Sequence, residues 1–163
     1  WRMKLADVAL QCAAPIGAWM TLVALFTGSI WGKPTWGTYW EWDARLTSML
    51  ILLFLYFGII ALRMAISNRD TAAKATAVMA IVGVINIPII KYSVDWWNTL
   101  HQPSSPIGMA GDSANGPEIW VPLGIMIVAV YLFFAVSLIL STRNEILQRE
   151  RRSKWVQELL ASA

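Results

Sequence analysis

The sequence predicts an all-α, polytopic integral membrane protein that forms a single membrane domain over residues 1–163 and contains four transmembrane helices. Hydrophobic residues make up 57% of the chain, whereas soluble domains are nearer half apolar. Charged residues amount to only 14% and fall in short clusters. The apolar stretches between the clusters are long enough to cross about 30 Å of hydrocarbon.

Four apolar stretches are each predicted to be a spanning helix: Val8–Ile30, Leu46–Ile66, Ala72–Ile90 and Ile119–Leu140. The second is free of charge until Arg63, which can extend to the interface. The third contains Asn86 and the helix-bending Pro88, and both need a protein partner inside a bilayer.

The distribution of basic residues predicts the orientation. Ten of the thirteen Lys and Arg residues lie at the amino end, between the second and third helices, and in the tail 141–163. These regions are therefore expected in the cytoplasm, and the loops 31–45 and 91–118 outside. The tail reads as a basic amphipathic helix along the cytoplasmic surface. Because the first residue is Trp1, the chain is expected to start within a longer product.

Several functions are disfavoured by composition and motifs. The net charge of +3 is distributed around membrane segments rather than along one stripe, which argues against nucleic-acid binding. The segment Gly28–Lys33 has the wrong glycine spacing for a phosphate-binding loop. Neither a zinc-type Cys/His group nor a nucleophile with its base is recognisable, so we do not expect an enzyme.

The first outer loop is dense in aromatic rings. Four of the ten tryptophans lie between Trp31 and Trp42. If residues 36–43 are helical, Trp36, Tyr39, Trp40 and Asp43 share one face. Such rings could form an interfacial aromatic belt that binds nothing, or a platform for a large flat ligand such as a porphyrin. The density of rings favours the platform.

A haem on this platform would need ligands for its iron and its propionates. The one histidine, His101, follows Trp96 and Trp97 in the other outer loop, and a neutral imidazole is a good iron ligand. An ordinary polar role for His101 is about as probable. Arg45 is the preferred partner of a propionate. An equal alternative is that Arg45 is an interfacial anchor, paired with Asp43 or with a lipid phosphate.

The segment Trp36-Gly-Thr-Tyr-Trp-Glu-Trp-Asp43 resembles the WWD signature, Trp-Gly-x-x-Trp-x-Trp-Asp, of haem-handling membrane proteins in cytochrome c biogenesis. Its continuation to Ser48 and the segment from Asn86 to Gln102 resemble one branch in particular. That branch is the cytochrome c maturation protein C family, also called haem exporter protein C.

The resemblance implies that Trp36, Trp40, Trp42 and Asp43 present haem as cargo and that His101 is an axial ligand of its iron. It implies a bacterial inner-membrane location, with both loops in the periplasm. Its partners would be ABC transporter subunits that carry the ATPase activity, a small single-span subunit and a periplasmic haem chaperone. The family has six spanning helices and a second histidine in its first outer loop. This chain has neither, which is consistent with a missing amino-terminal part.

Two other functions remain. A structural or transport subunit of a membrane complex would use the tryptophans only as interfacial anchors. A membrane electron-transfer cytochrome is disfavoured because one histidine cannot supply two axial ligands within this chain.

Overall fold

A computed structural model describes residues 4–101 and 117–161. Within these residues the helices are, in chain order, α1 Lys4–Trp36, α2 Ala44–Ala65, α3 Arg69–Trp96, α4 Pro117–Arg149 and α5 Lys154–Ala161. The first four are long and apolar enough to cross a bilayer. This confirms the predicted all-α, polytopic membrane fold.

The helices extend beyond the apolar stretches. α1 runs to Trp36. Pro34 lies inside this helix, where it removes one backbone N–H donor but does not end the helix. α4 continues to Arg149, so the tail expected from residue 141 is divided between the end of α4 and the short helix α5. The rest of the expected outer loop, residues 102–116, lies outside the described residues.

The spanning helices pack as a row. α2 contacts α1 and α3, and α1 also contacts α4. Close approach of α1 and α2 depends on Gly17, where a Cβ atom would lie 2.5 Å from Cζ of Tyr56. Such small residues allow helices to meet in lipid, where apolar contact alone gives no preference for protein over acyl chains.

Polar contacts join the helices at two levels. Near the end of the bundle that carries Asp43, the buried Asn86 of α3 donates from Nδ2 to the carbonyl of Ser48, at 2.9 Å. This contact gives Asn86 the protein partner that the sequence analysis predicts for it. At the opposite end Asp7 of α1 pairs with Arg63 of α2 and lies 3.4 Å from Nη1 of Arg149 of α4.

Candidate haem site

Asp43 organises the end of the bundle at which α1 ends and α2 begins. It is the N-cap of α2, and its Oδ1 accepts a hydrogen bond of 2.7 Å from the backbone amide of Leu46. This satisfies one of the amides that lack a partner in the first turn of a helix. The side chain is only 4% exposed.

The second carboxylate oxygen of Asp43 holds the segment after α3. Its Oδ2 accepts from the hydroxyl of Thr99 at 2.6 Å and lies 2.7 Å from Nδ1 of His101. The backbone amide of His101 donates to Thr99 Oγ1 at 3.1 Å. Residues far apart in the chain thus form one hydrogen-bonded group.

The protonation of Asp43 follows from these contacts. Burial raises the pKa of its carboxyl, but the hydrogen bonds from Thr99, the Leu46 amide and His101 together lower it by more. The net pKa lies below the ordinary value, so Asp43 is ionised at neutral pH. A carboxylate can only accept, so His101 donates from Nδ1. In the neutral imidazole, Nε2 then carries the lone pair.

The aromatic rings take four different positions. Trp36 is half-buried and contacts His101, with ring centroids 4.7 Å apart, and it also contacts Trp31, with centroids 5.3 Å apart. Trp40 is also half-buried and packs against a core cluster of Ala18, Leu25 and Leu53. Trp42 contacts Trp40 but is 73% exposed.

The aromatic residues at the end of α3 form a separate group. Tyr92 stacks on Trp96 with centroids 5.7 Å apart, and Trp96 meets Trp97 at 6.2 Å. Both tryptophans are more than half exposed. Among the described residues, Trp36 rather than this pair is the ring that contacts His101.

The helical face considered for residues 36–43 is not formed. α1 ends at Trp36, and Gly37 has a φ of +80° and donates its amide to the carbonyl of Lys33 at 3.0 Å. This is the left-handed ending typical of glycine after a helix. Trp36, Tyr39, Trp40 and Asp43 therefore do not share a flat face.

A small cleft lies beside His101. Its volume is about 250 Å³, and it is lined by residues of three helices and by the imidazole: Ala24, Leu25, Gly28, Arg45, Leu46, Met49, Ile90 and His101. Arg45 and His101 thus face one space. In the described part of the chain, Asp43 forms no ion pair with Arg45, so the alternative in which Asp43 anchors Arg45 is not realised.

Thr99 is the site residue that sequence reasoning missed. It lies two positions before His101, and its hydroxyl donates a hydrogen bond to Oδ2 of Asp43. A hydroxyl at this spacing is common in loops, and the sequence carries no signal that it reaches a carboxylate in another loop.

The sequence is similar to that of known proteins over nearly its whole length. A family model described as "Heme exporter protein C" matches residues 1–157. A protein of that name from Bradyrhizobium diazoefficiens is 56% identical over 153 residues, which cover 94% of this chain and 58% of the relative. Another of that name, from Escherichia coli strain K12, is 49% identical over 161 residues, or 98% of this chain and 64% of the relative.

A plant protein is also similar. The "Putative cytochrome c biosynthesis ccmC-like mitochondrial protein" of Marchantia polymorpha is 48% identical over 137 residues, which cover 84% of this chain and 57% of the relative. The chain therefore spans about three fifths of the length of these curated relatives.

Proposed function

The chain belongs to the heme exporter protein C family, and from this premise we propose that it binds haem at the periplasmic face of the inner membrane. It presents the haem to a periplasmic chaperone for cytochrome c maturation. Its partners are ABC transporter subunits, which carry the ATPase activity, and a small single-span subunit. The observation that carries the proposal is the pairing of His101 with a buried carboxylate beside a cleft.

His101 is the iron ligand in this proposal. Asp43 holds Nδ1 at 2.7 Å, and within the described residues no hydrogen bond occupies Nε2. Histidines that bind metals commonly donate their other ring N–H to a carboxylate, which fixes the ring and raises its basicity. The same arrangement in this chain leaves Nε2 available to iron.

The cleft receives one edge of the haem. Its volume of about 250 Å³ is below the roughly 300–1,000 Å³ of pockets that enclose drug-sized ligands. A macrocycle with its iron at His101 therefore lies partly outside the bundle, against Trp36. Partial exposure suits cargo that must leave for a chaperone.

Arg45 is the proposed partner of a haem propionate. It lines the same cleft as His101, and in the described part of the chain its guanidinium has no carboxylate partner. Its planar fork fits a carboxylate with two parallel hydrogen bonds.

The six other proposed site residues have different roles. Trp36 contacts the ligand and Asp43 fixes the imidazole. Trp40 supports the loop from the core, and its Nε1 is buried without a hydrogen-bond partner among the described residues. Trp42, Trp96 and Trp97 are exposed, and we propose that they meet the chaperone or the outer part of the macrocycle.

The exposure of Trp42 also favours the second function, that of a structural subunit anchored by its tryptophans. A ring 73% exposed beside a spanning helix suits a position among lipid headgroups. Replacing Trp40 and Trp42 together by Phe separates the two functions. Phe retains the apolar area on which anchoring depends, so a full level of cytochrome c maturation with no loss of bound haem would favour the structural subunit.

The test of the proposal uses the complete protein in its native membrane. His101→Ala should lose most of the bound haem seen in the absorption spectrum of the purified protein, and chaperone loading should fail. Asn98→Ala is the matched control, because Asn98 lies in the same segment and is exposed. Unchanged haem content and spectrum in His101→Ala, with loading intact, would remove His101 from the mechanism.

A further inference from the structure

An apolar cleft opens at the end of the bundle opposite His101. Its volume is about 480 Å³, and it is formed by the start of α1, the end of α4 and one residue of α5: Leu5, Ala9, Leu138, Ile139, Thr142, Arg143, Ile146, Leu147 and Trp155. Thr142 and Arg143 are the polar members of this lining. The cleft is therefore a long apolar trough that also exposes the hydroxyl of Thr142 and the guanidinium of Arg143; we refer to it below as the trough or the cleft.

The trough is long enough to hold most of an acyl chain that extends from the membrane surface to the middle of the bilayer. From Leu138 to Leu147 the axis of α4 advances about 13 Å, close to the half-thickness of a bilayer whose hydrocarbon core is about 30 Å. Leu138 and Ile139 belong to the spanning stretch. The trough thus runs from the hydrocarbon to the interface.

Arg143 is a cation without a protein counterion in the described part of the chain, whereas Arg149 is fully engaged. Arg149 binds Glu145 at 2.7 Å, Gln11 at 2.5 Å and Asp7 at 3.4 Å. Arg143 lies six residues earlier, which places it about 9 Å towards the membrane from that ion-pair level. Arg143 is exposed and follows the apolar stretch by three residues, so its guanidinium lies at the interface, where it can meet an anionic headgroup.

α5 closes the cleft at its far end and is held in place. The indole Nε1 of Trp155 donates to Glu150 Oε2 at 2.7 Å, and Val156 is 1% exposed. Glu145 pairs with Arg149, and among the described residues neither Glu145 nor Glu150 forms an ion pair with Arg143. Arg151, Arg152 and Lys154, which precede Trp155 in the chain, are exposed and add positive charge to this segment.

We propose that this cleft binds one anionic phospholipid. An acyl chain lies along Leu138, Ile139 and the apolar residues of α1, and the phosphate meets Arg143 with Thr142 beside it. Tryptophan at headgroup level and basic residues at the membrane end of helices are the elements that recognise anionic lipids. Charge decides the occupant, because an apolar helix of another protein would leave Arg143 buried without a counterion.

The experiment is native mass spectrometry of the complete protein, delipidated in detergent and titrated with phosphatidylglycerol, phosphatidylcholine or inorganic phosphate. We expect one phosphatidylglycerol to bind preferentially and inorganic phosphate not to compete. Arg143→Gln should weaken phosphatidylglycerol binding about fivefold, which corresponds to the roughly 1 kcal/mol expected for each basic residue near an anionic surface. Arg69→Gln is the matched control, since Arg69 is exposed at the start of α3 and does not line the cleft.

A second variant tests the trough without changing charge. Ala9→Leu fills part of the cleft and should weaken the binding of phosphatidylglycerol while haem content is preserved. Equal affinity for the two lipids, or unchanged phosphatidylglycerol binding in Arg143→Gln, would overturn the proposal. So would a photoreactive residue at position 147 that captures a polypeptide instead of lipid in the native membrane.

Discussion

Nδ1 of His101 lies 2.7 Å from Oδ2 of Asp43, although the two residues are 58 positions apart in the chain. The same carboxylate caps α2 through Oδ1. The imidazole is therefore fixed to the end of a spanning helix and not only to its own loop. Several measurable consequences follow from this pair and from the packing around it.

Protonation of Asp43 should destabilise the site. Its carboxyl has a lowered pKa in the folded protein, so its contribution to stability is present at neutral pH and is lost as pH falls from the ordinary pKa of an aspartate through the lowered pKa of the folded state. We expect the midpoint of thermal unfolding in detergent to fall across this range. Asp43→Asn should be less stable at neutral pH, by about 1–3 kcal/mol for a lost charged hydrogen bond.

The control for this prediction is Glu41→Gln, which removes an exposed carboxylate from the same loop. It should retain the acid-induced fall in stability, and Asp43→Asn should lose part of it. An identical pH profile in Asp43→Asn and the unaltered protein would contradict the role of this carboxylate.

Thr99 is expected to position His101. Thr99→Val keeps the shape but removes the hydroxyl that donates to Asp43, at a cost of about 1 kcal/mol in unfolding free energy. The haem spectrum should broaden or shift, because the ring loses one of its restraints. Thr99→Ser retains the hydroxyl and should restore both properties. A Thr99→Val protein with an unaltered spectrum would show that the hydroxyl is dispensable.

Trp40 and Trp42 should differ in their effects on stability. Trp40 packs against the core of α1 and α2, whereas Trp42 is largely exposed. Trp40→Ala should lower the unfolding free energy by about 3–5 kcal/mol, and Trp42→Ala by less than about 1 kcal/mol. Chemical or thermal unfolding in one detergent measures both. Equal losses would mean that Trp40 is not the ring in the core.

The ion pair at the opposite end should be costly to break from one side. The Arg63 side chain is 10% exposed and pairs with Asp7. Asp7→Asn leaves this cation buried and should destabilise the protein by about 3–5 kcal/mol. The double variant Asp7→Asn with Arg63→Met should recover part of that loss. If the double variant is as unstable as the sum of the single variants, the two side chains do not interact.

The sequence was sufficient for the membrane architecture. Apolar runs bounded by charged clusters have few alternatives in a bilayer, so four spanning helices could be predicted, as could a protein partner for Asn86. The ends of the helices could not be predicted as well as the helices themselves. The extension of α1 through Pro34 and its termination at Gly37 depend on local backbone geometry, which apolar periodicity does not report.

The candidate site was predictable as a set of residues but not as an arrangement. Tryptophan density and the position of His101 drew attention to two segments that the structure brings into contact. The inward direction of Trp40 and the link from Thr99 to Asp43 arise from tertiary packing between α1, α2 and the segment after α3. No spacing within one segment encodes such contacts, and the assignment of these residues to haem stays a prediction.

The two oxygens of Asp43 act on different parts of the molecule, since one accepts from the Leu46 amide and the other meets His101. If a cargo binds the imidazole as proposed, we expect it to alter the first turn of α2, and by reciprocity the order of that turn should affect how firmly the cargo is held. Hydrogen–deuterium exchange at the Leu46 amide would accordingly report loading and release without any spectroscopic signal from the guest itself.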